Sequence, residues 1–161
     1  MQIGIVSDTH GHIPNTLAAV RMLQSLDVDV VLHCGDIGSP EIPPLFKPWP
    51  THFVLGNVDL YECDELEQAI LAAGHHFHNR FADLCLANRR IAVLHSDDTH
   101  RFQQTIASAA YDLICYGHTH IAEHHHAGPT LVLNPGALYR AKQHTVAVVG
   151  TNDLTVTRII V

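Results

Sequence analysis

The sequence predicts a mixed α/β fold in which two mixed β-sheets pack together and helices flank them. Three observations carry that expectation. Short β-branched apolar runs recur along the whole chain, and amphipathic stretches separate the early ones. The runs are also too numerous for a single doubly wound sheet. A length of 161 residues suits one domain, 1–161, with a sizeable core.

The elements follow in order. Ile3, Gly4, Ile5 and Val6 form the first apolar run. Residues 14–26 set Leu17, Val20, Leu23 and Leu26 on one helical face, and Pro14 suits a first turn. A strand at 28–32 then completes a β-α-β unit, for which a right-handed crossover is expected. Pro40, Pro43, Pro44, Pro48 and Pro50 leave room for little more than one broken helical turn before a third strand at 53–55. Residues 64–73 read as a helix stopped by Gly74. Beyond Phe81, strands at 81–86 and 90–94 read as a hairpin about Ala87, Asn88 and Arg89. A third helix is expected at 101–110 and a strand at 113–116. The chain ends in strands at 130–133, 145–149 and 154–161, the last two joined through Gly150, Thr151, Asn152 and Asp153.

Bulk properties exclude several function classes. A net charge of -7 argues against a generic nucleic-acid binder and against an anionic-membrane binder. No apolar run approaches the roughly 20 residues that span a bilayer, and no basic leader precedes Ile3. A cytoplasmic protein is expected, with a homo-oligomer left open. Cys34, Cys63, Cys85 and Cys115 form no C-x-x-C pair and read as reduced structural thiols, Cys34 lying nearest the chemistry. Histidine is the outlier, at 15 residues. His75, His76 and His78 after a helix end, and His124, His125 and His126 before Gly128-Pro129, are read as surface residues.

Five apolar runs end in metal-ligand side chains. The first leads to Asp8 and His10, the second to Asp36, the third to Asn57, the fourth to His95 and the fifth to His118 and His120. Ligands gather at the carboxyl ends of strands in open α/β sheets. Mixed imidazole and oxygen donors suit Mn, Fe, Ni, Co or Zn.

Asp8-Thr9-His10, Gly35-Asp36, Gly56-Asn57, His95 and Gly117-His118-Thr119-His120, followed by Asn134-Pro135-Gly136, resemble the calcineurin-like metallophosphoesterase superfamily. The compact single-domain phosphodiesterases of bacteria and archaea are the nearest type, and the resemblance runs from Met1 to about Arg140. It implies a four-layer αββα sandwich and two divalent ions, manganese foremost, with Ni, Fe, Co or Zn as alternatives. One ion would be held by Asp8, His10, Asp36 and His120, the other by Asp36, Asn57, His95 and His118, with Asp36 bridging. It further implies in-line attack of a metal-bound hydroxide on a small phosphodiester, with Asp8, Asp36, Asn57 and His95 as the catalytic residues. The alternatives are a phosphomonoesterase or nucleotidase, and a non-catalytic scaffold on the same fold. Two divalent ions outweigh the local carboxylates, so a positive spot is expected on an acidic protein.

Two positions depart from the family pattern. Val58 stands where many members carry a histidine that assists the leaving group, and His95-Ser96-Asp97 replaces His-Gly-His. His33 is expected behind the site, orienting a ligand loop, and Asp59 as a loop orienter. His12 is either an outer partner of the ligands or a solvent-facing residue at a helix entrance. Arg140 either contacts phosphate or is simply exposed.

Overall fold

Two sheets organise the chain, which the structure, a computed structural model, describes over residues 1–161. In sequence order the elements are β1 (Gln2–Val6), α1 (Ile13–Gln24), β2 (Val30–His33), β3 (Thr51–Phe53), α2 (Cys63–Ala72), β4 (His76–Phe77), β5 (Ala82–Leu86) and β6 (Arg89–Val93). They continue with α3 (Thr99–Ala107), β7 (Leu113–Cys115), β8 (Glu123–Ala127), β9 (Thr130–Asn134), β10 (Thr145–Gly150) and β11 (Val156–Ile160). The first sheet runs β11-β10-β1-β2-β3-β4 and the second β5-β6-β7-β9-β8. Parallel pairing joins β1 to β2, β2 to β3 and β3 to β4 in one sheet, and β6 to β7 and β7 to β9 in the other. Antiparallel β10 and β11 on one side, and β5 and β8 on the other, make both sheets mixed.

Alternation along the strands sorts the apolar residues into three layers. Ile3, Ile5, Val30 and Leu32 of the first sheet meet Ile91, Val93, Leu113 and Leu131 of the second. On the outer face of the first sheet, Val6, Val31 and Phe53 pack against Ala19, Val20 and Leu23 of α1 and Leu66 and Ile70 of α2. The outer face of the second sheet places Ala92, Ile114 and Val132 under Phe102 and Ile106 of α3. Three apolar layers separate four structural ones, the αββα order that the resemblance implies. Each fully buried Ile or Leu here contributes about 1.5–3 kcal/mol of transfer free energy.

Helix ends follow their local chemistry. The His12 side chain accepts from the Asn15 N–H at the start of α1, and Asp98 does the same for the Arg101 N–H of α3. The helix expected at 14–26 stops two residues earlier, and Asp27 adopts a left-handed φ of 49° before β2. The proline-rich stretch holds one short 3₁₀ turn, Pro43–Phe46.

Four sequence expectations need correction. The third strand is Thr51–Phe53, because Leu55 donates its N–H to Asn79 outside the sheet. Residues 76–77 and 123–127 are strands, the latter closing a hairpin through Gly128-Pro129. His124, His125 and His126 are nonetheless exposed, since β8 lies at a sheet edge. His75 is not a surface residue: it is 6% exposed, and its Nε2 donates to the Pro43 carbonyl at 3.0 Å. No helix is long and apolar enough to cross a membrane.

Candidate metal centre

Parallel β1, β2 and β3 end together, and so do β6 and β7 across the sandwich. The loops leaving these ends carry every sequence-predicted ligand. Asp8, His10, Asp36, His118 and His120 all adopt positive φ, between 45° and 80°. Left-handed backbone at a non-glycine residue stores roughly 1–3 kcal/mol, so packing around these loops must enforce it.

Hydrogen bonds supply that enforcement. The backbone N–H groups of Asp8, His10 and Gly11 donate to the carbonyls of Gly35, Asp36 and Ile37 at 3.0, 2.9 and 2.8 Å. His33, fully buried, closes the same two loops. Thr9 Oγ1 donates to the Ile37 carbonyl at 2.9 Å, so His33 Nε2, 3.0 Å away, donates to Thr9 Oγ1. Its Nδ1 then accepts from the Gly35 N–H at 3.3 Å. Both nitrogens are satisfied only in the neutral ring, and burial pushes the His33 pKa down to about 3. Asp59 performs a parallel task, accepting from the N–H groups of Gly56, Ile37 and Gly38 at 2.8, 3.0 and 2.9 Å. Burial raises its pKa, while these three donors pull it back. The expected orienting roles of His33 and Asp59 thus have explicit partners.

The ligand side chains converge from both sheets. Asp36 turns Oδ1 to His95 Nε2 at 3.2 Å and Oδ2 to His10 Nε2 at 3.6 Å. Asp8 Oδ1 lies 3.0 Å from His120 Nε2, 3.8 Å from His10 Nε2 and 3.9 Å from His95 Nε2. Two groups emerge with metal-binding spacing, Asp8 with His10 and His120, and Asp8 with Asp36 and His95. His118 lies over His95, with ring centroids 5.2 Å apart, and is the most exposed member. Asn57 leaves Oδ1 buried without a hydrogen-bond partner. In this arrangement Asp8 rather than Asp36 is common to both close groups, although only Asp36 addresses the two with separate oxygens.

Hydrogen-bond direction tests whether these residues suit a metal. A carbonyl only accepts, so His95 Nδ1 donates to Cys34 at 2.8 Å and His120 Nδ1 donates to Arg140 at 3.2 Å. Each neutral ring therefore points an Nε2 lone pair at carboxylate oxygens. Asp8 Oδ1, Asn57 Oδ1 and His95 Nε2 are buried with no hydrogen-bond partner, a cost of about 1–3 kcal/mol per group. Converging lone pairs repel, and a cation among them removes the repulsion. The donor set fits divalent metal.

Protonation tendencies agree. Burial outweighs the nearby carboxylates and lowers the His10 pKa, favouring the ligating neutral ring. Burial opposes ionisation of Asp36, but the His95 contact and the Val58 N–H together hold its pKa below the usual carboxylate range. At His95 burial pulls downward, yet Asp36 and Asp8 more than offset it and raise the pKa.

The two departures from the family pattern have local partners. Ser96 Oγ donates to the Gly117 carbonyl at 2.9 Å and braces the His118 loop from behind. Asp97 is paired with Arg80 at 2.6 Å, so its charge is compensated. Nothing at sequence level linked Arg80 to the site. Asn134 Nδ2 also braces this loop, at 3.3 Å from the Gly117 carbonyl and 3.0 Å from Thr119 Oγ1. His12 caps α1 and stacks on Tyr139 at 4.8 Å, outside the ligand cluster.

Residues 1–154 match the calcineurin-like phosphoesterase superfamily domain. The chain belongs to that superfamily. A phosphodiesterase of Methanocaldococcus jannaschii is 30% identical over 138 residues, covering 84% of this chain and 83% of its own. A probable metallophosphoesterase of Bacillus subtilis is 30% identical over 145 residues, covering 86% and 75%. The solved structure of an archaeal phosphodiesterase superposes with a TM-score of 0.91 at 27% identity, covering 100% of both chains. This member of the superfamily is a metal-dependent phosphoester hydrolase, and the four-layer expectation holds.

Close packing makes the metallophosphoesterase centre intolerant at Gly56. A Cβ there would collide with the Asp36 carboxylate and backbone nitrogen. Gly56→Ala is expected to displace Asp36 and cut activity roughly 10²-fold while the fold persists. Steady-state kinetics beside a melting curve checks this, and unchanged kcat/KM would show that Asp36 has room to shift harmlessly.

Proposed function

We propose that the protein hydrolyses phosphodiesters of small substrates with two divalent ions. Asp8, His10, Asp36 and His120 would hold one ion, and Asp36, Asn57, His95 and His118 the other. The observation that carries the reading is the divided aim of Asp36, whose two oxygens face the histidines of different groups. When bound, such ions supply Lewis acidity toward a phosphoryl group and lower the pKa of water. The chain supplies the rest. His95 and His120 are fixed as Nε2 donors by the Cys34 and Arg140 carbonyls. Asp59 and His33 lock the loops that carry Asp36, Asn57 and Asp8. No side chain at position 58 can protonate a leaving group, which favours diesters with good leaving groups over a phosphomonoesterase role. Manganese is the foremost candidate ion, with Ni, Fe, Co and Zn as alternatives.

The test begins with metal analysis of protein purified without added metal. Chelation followed by a phosphoester panel under each ion should restore diesterase activity best with one or two of them. Preferred turnover of monoesters would establish the nucleotidase alternative instead. Tight ion binding with no hydrolysis of any ester would leave a scaffold.

A further inference from the structure

We infer that the cleft walled by His120 binds a second phosphate of the substrate, held by Arg140, Lys142 and Arg158. The inference rests on the phosphoesterase reading of the adjoining centre and extends it to a substrate class: phosphodiesters that carry a further phosphate away from the scissile one.

Charge distribution provides the argument. The chain has nine Lys and Arg against sixteen Asp and Glu. Arg80, Arg89 and Arg90 are each paired with an aspartate, and Arg101 lies over the Phe81 ring. Arg140, Lys142 and Arg158 pair with no carboxylate, yet all three line one cleft of about 680 Å³. No Asp or Glu shares that lining. Like charges gathered without a counter-charge repel one another and are stabilised when an anion enters. The cleft has the size of a nucleotide-scale site.

Position ties it to the chemistry. His120 forms part of its wall and lies 3.0 Å from Asp8 Oδ1 in the metal centre. Arg140 receives the His120 Nδ1 hydrogen bond on its carbonyl and lines a second, smaller cleft beside His10. Arg140 therefore lines both openings beside the centre, its guanidinium lying over the Tyr139 ring at 5.6 Å. Arg158 is steadied by donating to the Ala122 carbonyl at 3.1 Å. Lys142 and Arg158 are exposed, so an incoming phosphate reaches them directly from solvent. A substrate with only its scissile phosphate leaves this cation group unused.

The experiment compares thymidine 3′,5′-bisphosphate with thymidine 5′-monophosphate by calorimetry on the metal-loaded protein. Turnover of the p-nitrophenyl esters of thymidine 5′-phosphate, with and without a 3′-phosphate, runs in parallel. The second phosphate should tighten binding roughly tenfold or more at low salt, and the gain should shrink as salt rises. In Lys142→Ala/Arg158→Gln the preference should fall to within about twofold. Equal binding in the native protein, or a preference that survives the double variant, overturns the cleft. A melting temperature and metal content matching the native protein show that the variant is folded. If neither ester is cleaved but the bisphosphate preference appears and is lost in the variant, the diesterase reading fails and the cleft stands. If both esters are cleaved and bind equally, the reverse holds.

Discussion

Asp36→Asn should lower phosphoester turnover by roughly 10³-fold or more and release both ions, the largest effect expected of any single substitution. Asp36 Oδ1 faces His95 at 3.2 Å and Oδ2 faces His10 at 3.6 Å. An amide offers one acceptor in place of two, and its NH2 would point at an imidazole lone pair or at a cation. Val58 donates its N–H to Oδ1 at 3.1 Å, which favours keeping the amide oxygen on that side. The NH2 then faces His10. The shared charge is lost to both groups, whereas Asn57→Ala removes one neutral donor and should weaken chiefly one ion.

Stability should move the same way. His95 and the Val58 N–H hold the Asp36 carboxylate in its charged form, so metal-free Asp36→Asn should melt no higher than metal-free native protein. It should also lose the rise in melting temperature that ion binding confers. Metal analysis with parallel melting curves measures both. Two tightly held ions in Asp36→Asn would refute a bridging role and pass it to Asp8, the residue common to both close groups.

How far the centre was legible follows from what each residue's role depends on. Ligand positions could be read because a parallel strand buried on both faces makes a continuous apolar run, and the next polar residue marks its carboxyl end. Asp8, Asp36, Asn57, His95, His118 and His120 all follow such runs. Residues whose roles depend on contacts distant in sequence were less visible. Arg80 meets Asp97 across 17 residues, and the His120 tautomer rests on a carbonyl 20 residues away. β8 escaped notice because Glu123, His124, His125 and His126 lack β-propensity; pairing with the apolar β9 creates that strand. His75 was misplaced because a residue just after a helix is usually exposed, and only its bond to Pro43 reveals why it turns inward. The gathering of Arg140, Lys142 and Arg158 brings the middle of β11 beside the loop after β9, which no local pattern reports.

The second large effect is a steep dependence of rate on the leaving group. A positioned general acid contributes about 10²–10⁴-fold, most where the leaving oxygen is strongly basic. Val58, directly after Asn57, is 38% exposed and shares a cleft of about 250 Å³ with His10, Tyr139 and Arg140. Arg140 offers a guanidinium, which serves as a hydrogen-bond donor rather than a general acid. His12 spends Nδ1 accepting from Asn15 and lies stacked on Tyr139, outside the ligand cluster. Aryl phosphodiesters, whose leaving groups depart as stable anions, should therefore react roughly 10²–10⁴-fold faster than alkyl ones. Val58→His should flatten the slope by raising the alkyl rates and leaving the aryl rates nearly unchanged, since position 58 opens onto the cleft. The measurement is a series of aryl and alkyl diesters at fixed metal, with single-turnover kinetics to confirm that chemistry limits the rate. A flat series would mean that another group delivers the proton, and His12→Ala would be the first variant to make. If that variant steepened the slope, the His12–Tyr139 stack would have to open during turnover to bring the imidazole to the leaving oxygen.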